Sequence, residues 1–160
     1  MNSFDELSLS APLKKAIQEI GYTKPSPIQA QALPLLLAEP TDFIGLAGTG
    51  TGKTAAFSIP LLEQIDPTKK CVQGLIMCPT RELALQVCGQ INLLGKFKGI
   101  KALPIYGGAS YGDQIYGLRE GAKIVVGTPG RLVDHLERKT LNLKGVKTII
   151  LDEADEMISM

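Results

Sequence analysis

The chain is poor in cysteine, and the cysteines it has are badly spaced for structural work. Cys71, Cys78 and Cys88 are odd in number, form no C-x-x-C pair and share the sequence with one histidine. This excludes a zinc site and a disulfide framework and is the usage of a reducing cytoplasm. Charge of one sign is also lacking: the formal net charge is +1, and the short basic clusters at Lys96 to Lys101 and Arg138 to Lys147 read as solvated faces, not as a global sign of a nucleic-acid partner. No apolar run is long enough to span a bilayer. The N-terminus carries Asp5, Glu6, Lys14 and Lys15 where a secretory signal needs an uninterrupted apolar core. Repeats, low-complexity segments and linker-like stretches are missing. What is present, 44% hydrophobic and 21% charged residues in 160, is ordinary globular usage for one domain able to bury a core.

The most informative run is Ala47-Gly48-Thr49-Gly50-Thr51-Gly52-Lys53-Thr54. It follows an apolar stretch, Asp42 to Leu46, and leads into a helix-like one, Ala55-Ala56-Phe57, which is the context a phosphate-binding loop requires. Alternating glycines allow turn conformations that side chains forbid, so successive amides can face one anion. Lys53 would bring a cation to the outer phosphates, and Thr54 a hydroxyl for magnesium. The helix that begins here adds favourable potential for negative charge. The blander reading is a flexible connection between a strand and a helix.

Four further apolar, β-branched runs read as buried strands: Val72 to Cys78, Lys101 to Tyr106, Lys123 to Gly127 and Thr148 to Asp152. Leu83, Val87, Ile91 and Leu94 fall on one helical face, as do Leu13, Ile17 and Ile20, with Gly21 placed to end the latter helix. Strands alternating with helices predict an α/β fold, a mainly parallel sheet with helices on both faces in three layers. Pro34 and Pro60 fall inside predicted helices and should kink or stop them. In such a sheet ligands collect at the carboxyl ends of the strands. The run Thr148 to Asp155 delivers two adjacent carboxylates to such an end. Asp152 can hold a magnesium ion through water, and Glu153 can orient or deprotonate a water that attacks a terminal phosphate. Alternatively, Asp152, Glu153, Asp155 and Glu156 only favour the start of a helix.

In chain order the sequence also shows Phe4, then Gly21-Tyr22-Thr23-Lys24-Pro25-Ser26-Pro27-Ile28-Gln29, Pro79-Thr80-Arg81-Glu82-Leu83-Ala84, Gly107-Gly108 and Thr128-Pro129-Gly130-Arg131. With the glycine loop and Asp152-Glu153-Ala154-Asp155, these motifs resemble the first RecA-like lobe of a DEAD-box RNA helicase over nearly the whole chain. Tyr106-Gly107-Gly108 and Asp155-Glu156-Met157 are most similar in wording to bacterial members.

The resemblance implies ATP and Mg2+ as ligands. It places Gln29 on the adenine edge, with Phe4 and Tyr22 near the base and the turn from Pro25 shaping the pocket. A side-chain amide donates and accepts at once, which suits adenine. Ser26-Pro27-Ile28-Gln29 is equally a capping box, so Gln29 could instead serve its own helix. The resemblance further implies that Pro79, Thr80, Arg81, Gly107, Gly108, Thr128 and Arg131 meet an RNA backbone. Thr80 and Thr128 stand where strands end and helices begin, so plain helix capping with solvated arginines is the alternative for each. Gln114 stands at the family's spacing after the glycine pair. His135 is expected on the polar, exposed side of its helix.

Residues 1–160 are thus expected to form a single lobe, 1–30 carrying the adenine-reading region and 31–160 the loop-to-DEAD core, as a cytoplasmic monomer without membrane contact. The chain ends five residues after Asp155, ahead of the Ser-Ala-Thr segment and second lobe of the family. The fold is therefore expected to be incomplete at its C-terminus, with a gap or an exposed apolar edge in the sheet. A lobe without the family's arginine fingers is expected to turn over negligibly. Another P-loop ATPase, such as a DNA translocase, and a non-catalytic RNA- or nucleotide-binding module remain open as alternatives.

Overall fold

A computed structural model describes residues 1–48 and 50–159. The chain divides into two compact units, residues 1–64 with 93–99, and residues 65–92 with 100–160.

The first unit is helical. A 3-10 turn at Phe4–Glu6 precedes α1 (Ala11–Ile20), α2 (Pro27–Ala38) and α3 (Lys53–Gln64). Helix α1 buries Leu13, Ala16 and Ile17 and ends where predicted: Gly21 takes φ 92°, and its amide and that of Tyr22 return to the Ile17 carbonyl at 3.2 and 3.1 Å. Only glycine adopts this left-handed termination without strain. Ser26 caps α2 with a complete capping box, and Pro27 stands at the first helical position. Neither Pro34 nor Pro60 stops its helix early, since α2 continues to Ala38 and α3 to Gln64. Pro60 lies in an almost uninterrupted buried run from Ala55 to Leu62. Packing on that scale outweighs the roughly 3 kcal/mol an interior proline costs. Lys98 folds back to donate to the Leu62 carbonyl at 2.6 Å, satisfying a backbone acceptor in the last turn of α3.

One strand expectation is overturned here. Residues 42–46 form no strand, and Phe43, Ile44 and Leu46 are exposed. An apolar run becomes a strand only when its amides and carbonyls find a neighbouring backbone, and no described residue pairs with this one.

The second unit carries the sheet: β1 (Gly74–Met77), β2 (Ala102–Ile105), β3 (Ile124–Gly127) and β4 (Thr148–Leu151), all parallel in the order β2-β3-β1-β4. Helices α4 (Arg81–Leu94), α5 (Tyr111–Arg119), α6 (Pro129–Glu137) and α7 (Ala154–Ile158) follow the four strands in turn, the last residues of α4 grouping with the first unit. All four predicted runs of this unit became strands, the first two trimmed at both ends and the last two at one. β3 is buried along its whole length, as a central parallel strand must be. One face gathers Val72, Leu75, Ile105, Val125, Leu132 and Leu141 into a core, while Ile76, Ile124 and Val126 are buried on the opposite face. Among the described residues β4 pairs with β1 alone, and Ile149 and Leu151 are 60% and 55% exposed. Among the described residues no helix is long and apolar enough to cross a membrane.

Candidate functional site

In the first unit, most of the predicted nucleotide residues line one cleft of about 670 Å3, while Pro25, Lys53 and Thr54 stand outside its lining. Its walls include Phe4, Tyr22, Gln29, Ala47, Gly48, Gly50, Thr51 and Gly52. Thr49 lies outside the described residues. Phe4 is buried and stacks on Tyr22, with ring centroids 5.9 Å apart and planes at 22°. Pro25, also buried, fixes the turn before α2.

The loop needs its glycines at two points. Gly50 and Gly52 take φ of 79° and 84°, and a Cβ on Gly52 would stand 2.4 Å from Gln29 Nε2 and 2.9 Å from Ser26 Oγ. Thr51 Oγ1 donates to the Gly48 carbonyl at 2.6 Å and braces the bend. Lys53 and Thr54 then open α3, so both side chains and the first-turn amides sit where a helix end favours anions.

Of the two roles that the sequence left open for Gln29, the structure shows the helix cap, and it adds a tie to the glycine loop. Its Oε1 accepts from the Ser26 amide at 3.0 Å, closing the capping box, and its Nε2 donates to the Gly52 carbonyl at 3.0 Å. An amide oxygen has two lone pairs and an amide nitrogen two hydrogens. One acceptor site and one donor therefore remain, on a side chain whose orientation is locked from both ends and which is only 6% exposed.

In the second unit the remaining predicted residues line the carboxyl edge of the sheet. The ladder runs past the strand ends: the amides of Cys78, Thr128 and Asp152 donate to the carbonyls of Gly127, Ile105 and Met77, each at 2.9 Å. Pro79 and Thr80 after β1, Gly107 and Gly108 after β2, Thr128 after β3 and Asp152 after β4 thus emerge along one edge. Asp152 is 4% exposed. Glu153 follows it in the left-handed region (φ 54°, ψ 51°), which costs an ordinary side chain about 1–2 kcal/mol. A helix start alone does not require that conformation. It turns the chain sharply between the two carboxylates.

The two threonines differ. Thr80 Oγ1 accepts from the Leu83 amide at 3.2 Å and caps α4, whereas the Thr128 side chain makes no cap bond to α6. The arginines differ as well. Arg81 is exposed and lies over the Tyr106 ring at 4.9 Å. Arg131 is half-buried: its Nη1 donates to the Ala109 carbonyl at 2.9 Å and to Gln114 Oε1 at 3.1 Å, and its guanidinium covers the Tyr111 ring at 3.7 Å.

His135 is not exposed. It is 0% accessible, with Nε2 2.7 Å from Gln114 Oε1 and Nδ1 2.7 Å from Thr140 Oγ1. Leu132, His135 and Leu136 stand at i, i+3 and i+4, one helix face, and that face turns to the core. This spacing is the signal that assigning His135 to the polar face overlooked. Burial, then the positive charges of Arg131 and Arg138, hold its imidazole below the usual histidine value, with Asp134 opposing. Tyr111, Asp134, Arg138 and Thr140 complete a group that sequence reasoning did not single out. The Tyr111 hydroxyl donates to Asp134, which raises the phenol's pKa, and its ring is also covered by Arg138 at 3.8 Å.

Comparison with known proteins gives a consistent picture. The family model described as DEAD/DEAH box helicase matches residues 26–160. The chain is 50% identical over 158 residues to the DEAD-box ATP-dependent RNA helicase CshA of Bacillus subtilis, and 52% identical over 159 residues to the ATP-dependent RNA helicase DeaD of Mycobacterium tuberculosis. Each alignment covers 99% of this chain but 32% and 28% of those relatives, so the chain spans about a third of their length. Among solved structures it is similar to a DEAD box protein from Methanococcus jannaschii, at TM-score 0.95 and 47% identity, covering 100% of this chain and 44% of that one. It is also similar to a variant of S. cerevisiae Dbp5 bound to RNA and ADP BeF3, at TM-score 0.89 and 38% identity, covering 100% and 40%.

Proposed function

The chain belongs to the DEAD/DEAH box helicase family, and from that premise we propose that it is the ATP-binding lobe of an RNA helicase that separates short RNA duplexes when joined to a second RecA-like lobe. The relatives named above are RNA helicases, which favours RNA over the DNA of a translocase.

One observation carries the reading: Gln29 is tied at one end to its helix cap and at the other to the Gly52 carbonyl, so that a base-reading amide and a phosphate-binding loop form one piece. The free donor and acceptor of that amide match the adenine edge, where guanine offers the opposite pattern. Phe4 and Tyr22 supply an apolar wall for the base. The amides of Gly48, Gly50, Thr51 and Gly52 and the cation of Lys53 receive the phosphates.

Among the described residues no group of three or more His, Cys, Asp or Glu forms a metal cage. Magnesium is normally held by few protein ligands plus water and substrate phosphates, and the Thr54 hydroxyl in the first unit and the Asp152 carboxylate in the second are each of the oxygen-ligand type it takes. When bound with ATP, that ion neutralises charge developing on the transferred phosphoryl group. Glu153 orients the attacking water and accepts its proton. Pro79, Thr80, Arg81, Gly107, Gly108, Thr128 and Arg131 hold the RNA backbone without reading bases, through outward amides, hydroxyls and guanidinium groups.

This division of labour suits a cytoplasmic monomer whose turnover waits on a second lobe, because supplying an arginine finger is worth about a thousandfold or more. Titrating ATP, GTP and single-stranded RNA against the 160-residue chain, with ATP hydrolysis and strand separation measured alongside, tests it. ATP should bind in preference to GTP, RNA binding should weaken as salt rises, and hydrolysis should be close to background. Equal affinity for GTP, or robust unwinding by this chain alone, would contradict the proposal.

A further inference from the structure

We propose that His135 is a positioning residue for the RNA-facing edge, acting through Gln114 to fix both Arg131 and the turn after β2. The inference rests on the reading of that edge as an RNA surface.

The Arg131 guanidinium, which can only donate, fixes the orientation of the Gln114 amide. Gln114 is 4% exposed, and its Nε2 donates to the Tyr106 carbonyl at 3.1 Å. Its Oε1 therefore receives Arg131 Nη1 at 3.1 Å and His135 Nε2 at 2.7 Å. A flipped amide would set its hydrogens against the guanidinium and the imidazole N–H. His135 therefore donates from Nε2, and its Nδ1 pairs at 2.7 Å with the Thr140 hydroxyl oxygen, which also lies 3.1 Å from the His135 carbonyl. Thr140 is itself held by its amide, which donates to the His135 carbonyl at 3.0 Å, so the ring is anchored at the far end of α6.

The chain of contacts thus passes from Thr140 to His135, to Gln114, and from there to two outputs. One is the Tyr106 carbonyl, just before Gly107 and Gly108. The other is Arg131, whose Nη1 also reaches the Ala109 carbonyl just after them. The glycine pair, Gly108 at φ 83°, is held from both sides by groups that His135 orients. Arg131, Arg138, Asp134 and Tyr111 are the ionisable groups around the ring. None of them donates to Gln114 Oε1 in place of the imidazole except Arg131, which already does so.

The test measures amide hydrogen exchange at residues 107–109 and affinity for a labelled single-stranded oligo(U) RNA. It compares the 160-residue chain with His135→Ala, Arg131→Ala, the double variant and Thr140→Val. In His135→Ala, exchange at 107–109 should quicken and RNA affinity should fall on the order of tenfold, while affinity for an ATP analogue stays unchanged. The double variant should bind RNA no worse than Arg131→Ala, because both remove one unit. Thr140→Val, which keeps the side-chain shape, should show the same changes more weakly.

Unaltered exchange in both His135→Ala and Thr140→Val would overturn the positioning role whatever the RNA result. So would loss of affinity in Arg131→Ala with none in His135→Ala. If Arg131→Ala leaves RNA affinity untouched, the RNA reading of this edge fails, and the exchange data still decide the positioning role. Should His135→Ala fail to fold, Thr140→Val and the nitrogen chemical shifts of the His135 ring decide: an Nε2 without a proton overturns the proposal.

Discussion

Around Gly50 and Gly52 the atoms poised for function are mostly backbone ones, held by glycine conformations and the two-ended grip of Gln29. Around His135 they are side-chain atoms from α5, α6 and the turn beyond, Gln114 and His135 buried, Arg131 and Thr140 half-buried, and each dependent on the others. A backbone cradle tolerates exchange of its side chains but not of its glycines. A buried polar network has the reverse sensitivity, since removing one member strands its neighbours.

The largest effect expected from that contrast is Gly52→Ala. It forces a side chain into the left-handed region, at about 1–2 kcal/mol, and sets a Cβ 2.4 Å from Gln29 Nε2. Nucleotide affinity should fall on the order of a hundredfold, and a fluorescent ATP analogue measures it. Near-normal binding would break the view that the cradle is a backbone device.

Gln29→Ala comes next. It leaves the glycine bend but removes the amide, so the preference for ATP over GTP should drop about tenfold in competition titrations, the loss of roughly one good hydrogen-bonded pair.

The threonines sharpen the comparison within the second unit. Thr80→Ala should lower stability by about 1 kcal/mol because it removes a cap, while Thr128→Ala should leave the unfolding midpoint nearly unmoved. Both should weaken RNA binding. Equal stability losses in urea would mean that Thr128 is simply another cap.

Acid is a gentler probe of the network. The folded chain refuses a proton at His135 that the unfolded chain accepts near the usual value of 6.5. The stability this gives is present in full above that value and declines as pH falls towards and through the lower folded value. Urea midpoints should therefore drop below pH 6.5 in the native chain, with a shallower slope in His135→Ala.

The smallest effect concerns thiols. Burial raises Cys88 to about 12, whereas Cys71 is exposed. Since the thiolate is the nucleophile, maleimide at pH 7 should label Cys71 first and leave Cys88 unmodified in the folded chain.

Much of this molecule was legible beforehand. Four strands and the helices α1, α3 and α4 followed from period and from Gly21, because those patterns state which face must leave water. The cradle was legible because glycine spacing before a helix has few other uses. Residues 42–46 were misjudged because apolar character reports a wish for burial, not the presence of a pairing strand. His135 was misjudged because a polar side chain on a helix looks solvated until its partners are known.

Composition, periodicity and the ordered motifs determined by themselves that this is an α/β chain with a glycine bend ahead of α3, since local geometry and burial are written in neighbouring residues. Tertiary structure alone decided that Gln29 serves its helix and the glycine loop together, and that Gln114, Arg131, His135 and Thr140 form one network. Those facts depend on residues between 5 and 23 positions apart sharing hydrogen bonds. No local pattern records such meetings, because a buried polar group becomes favourable only when a distant partner arrives to replace water.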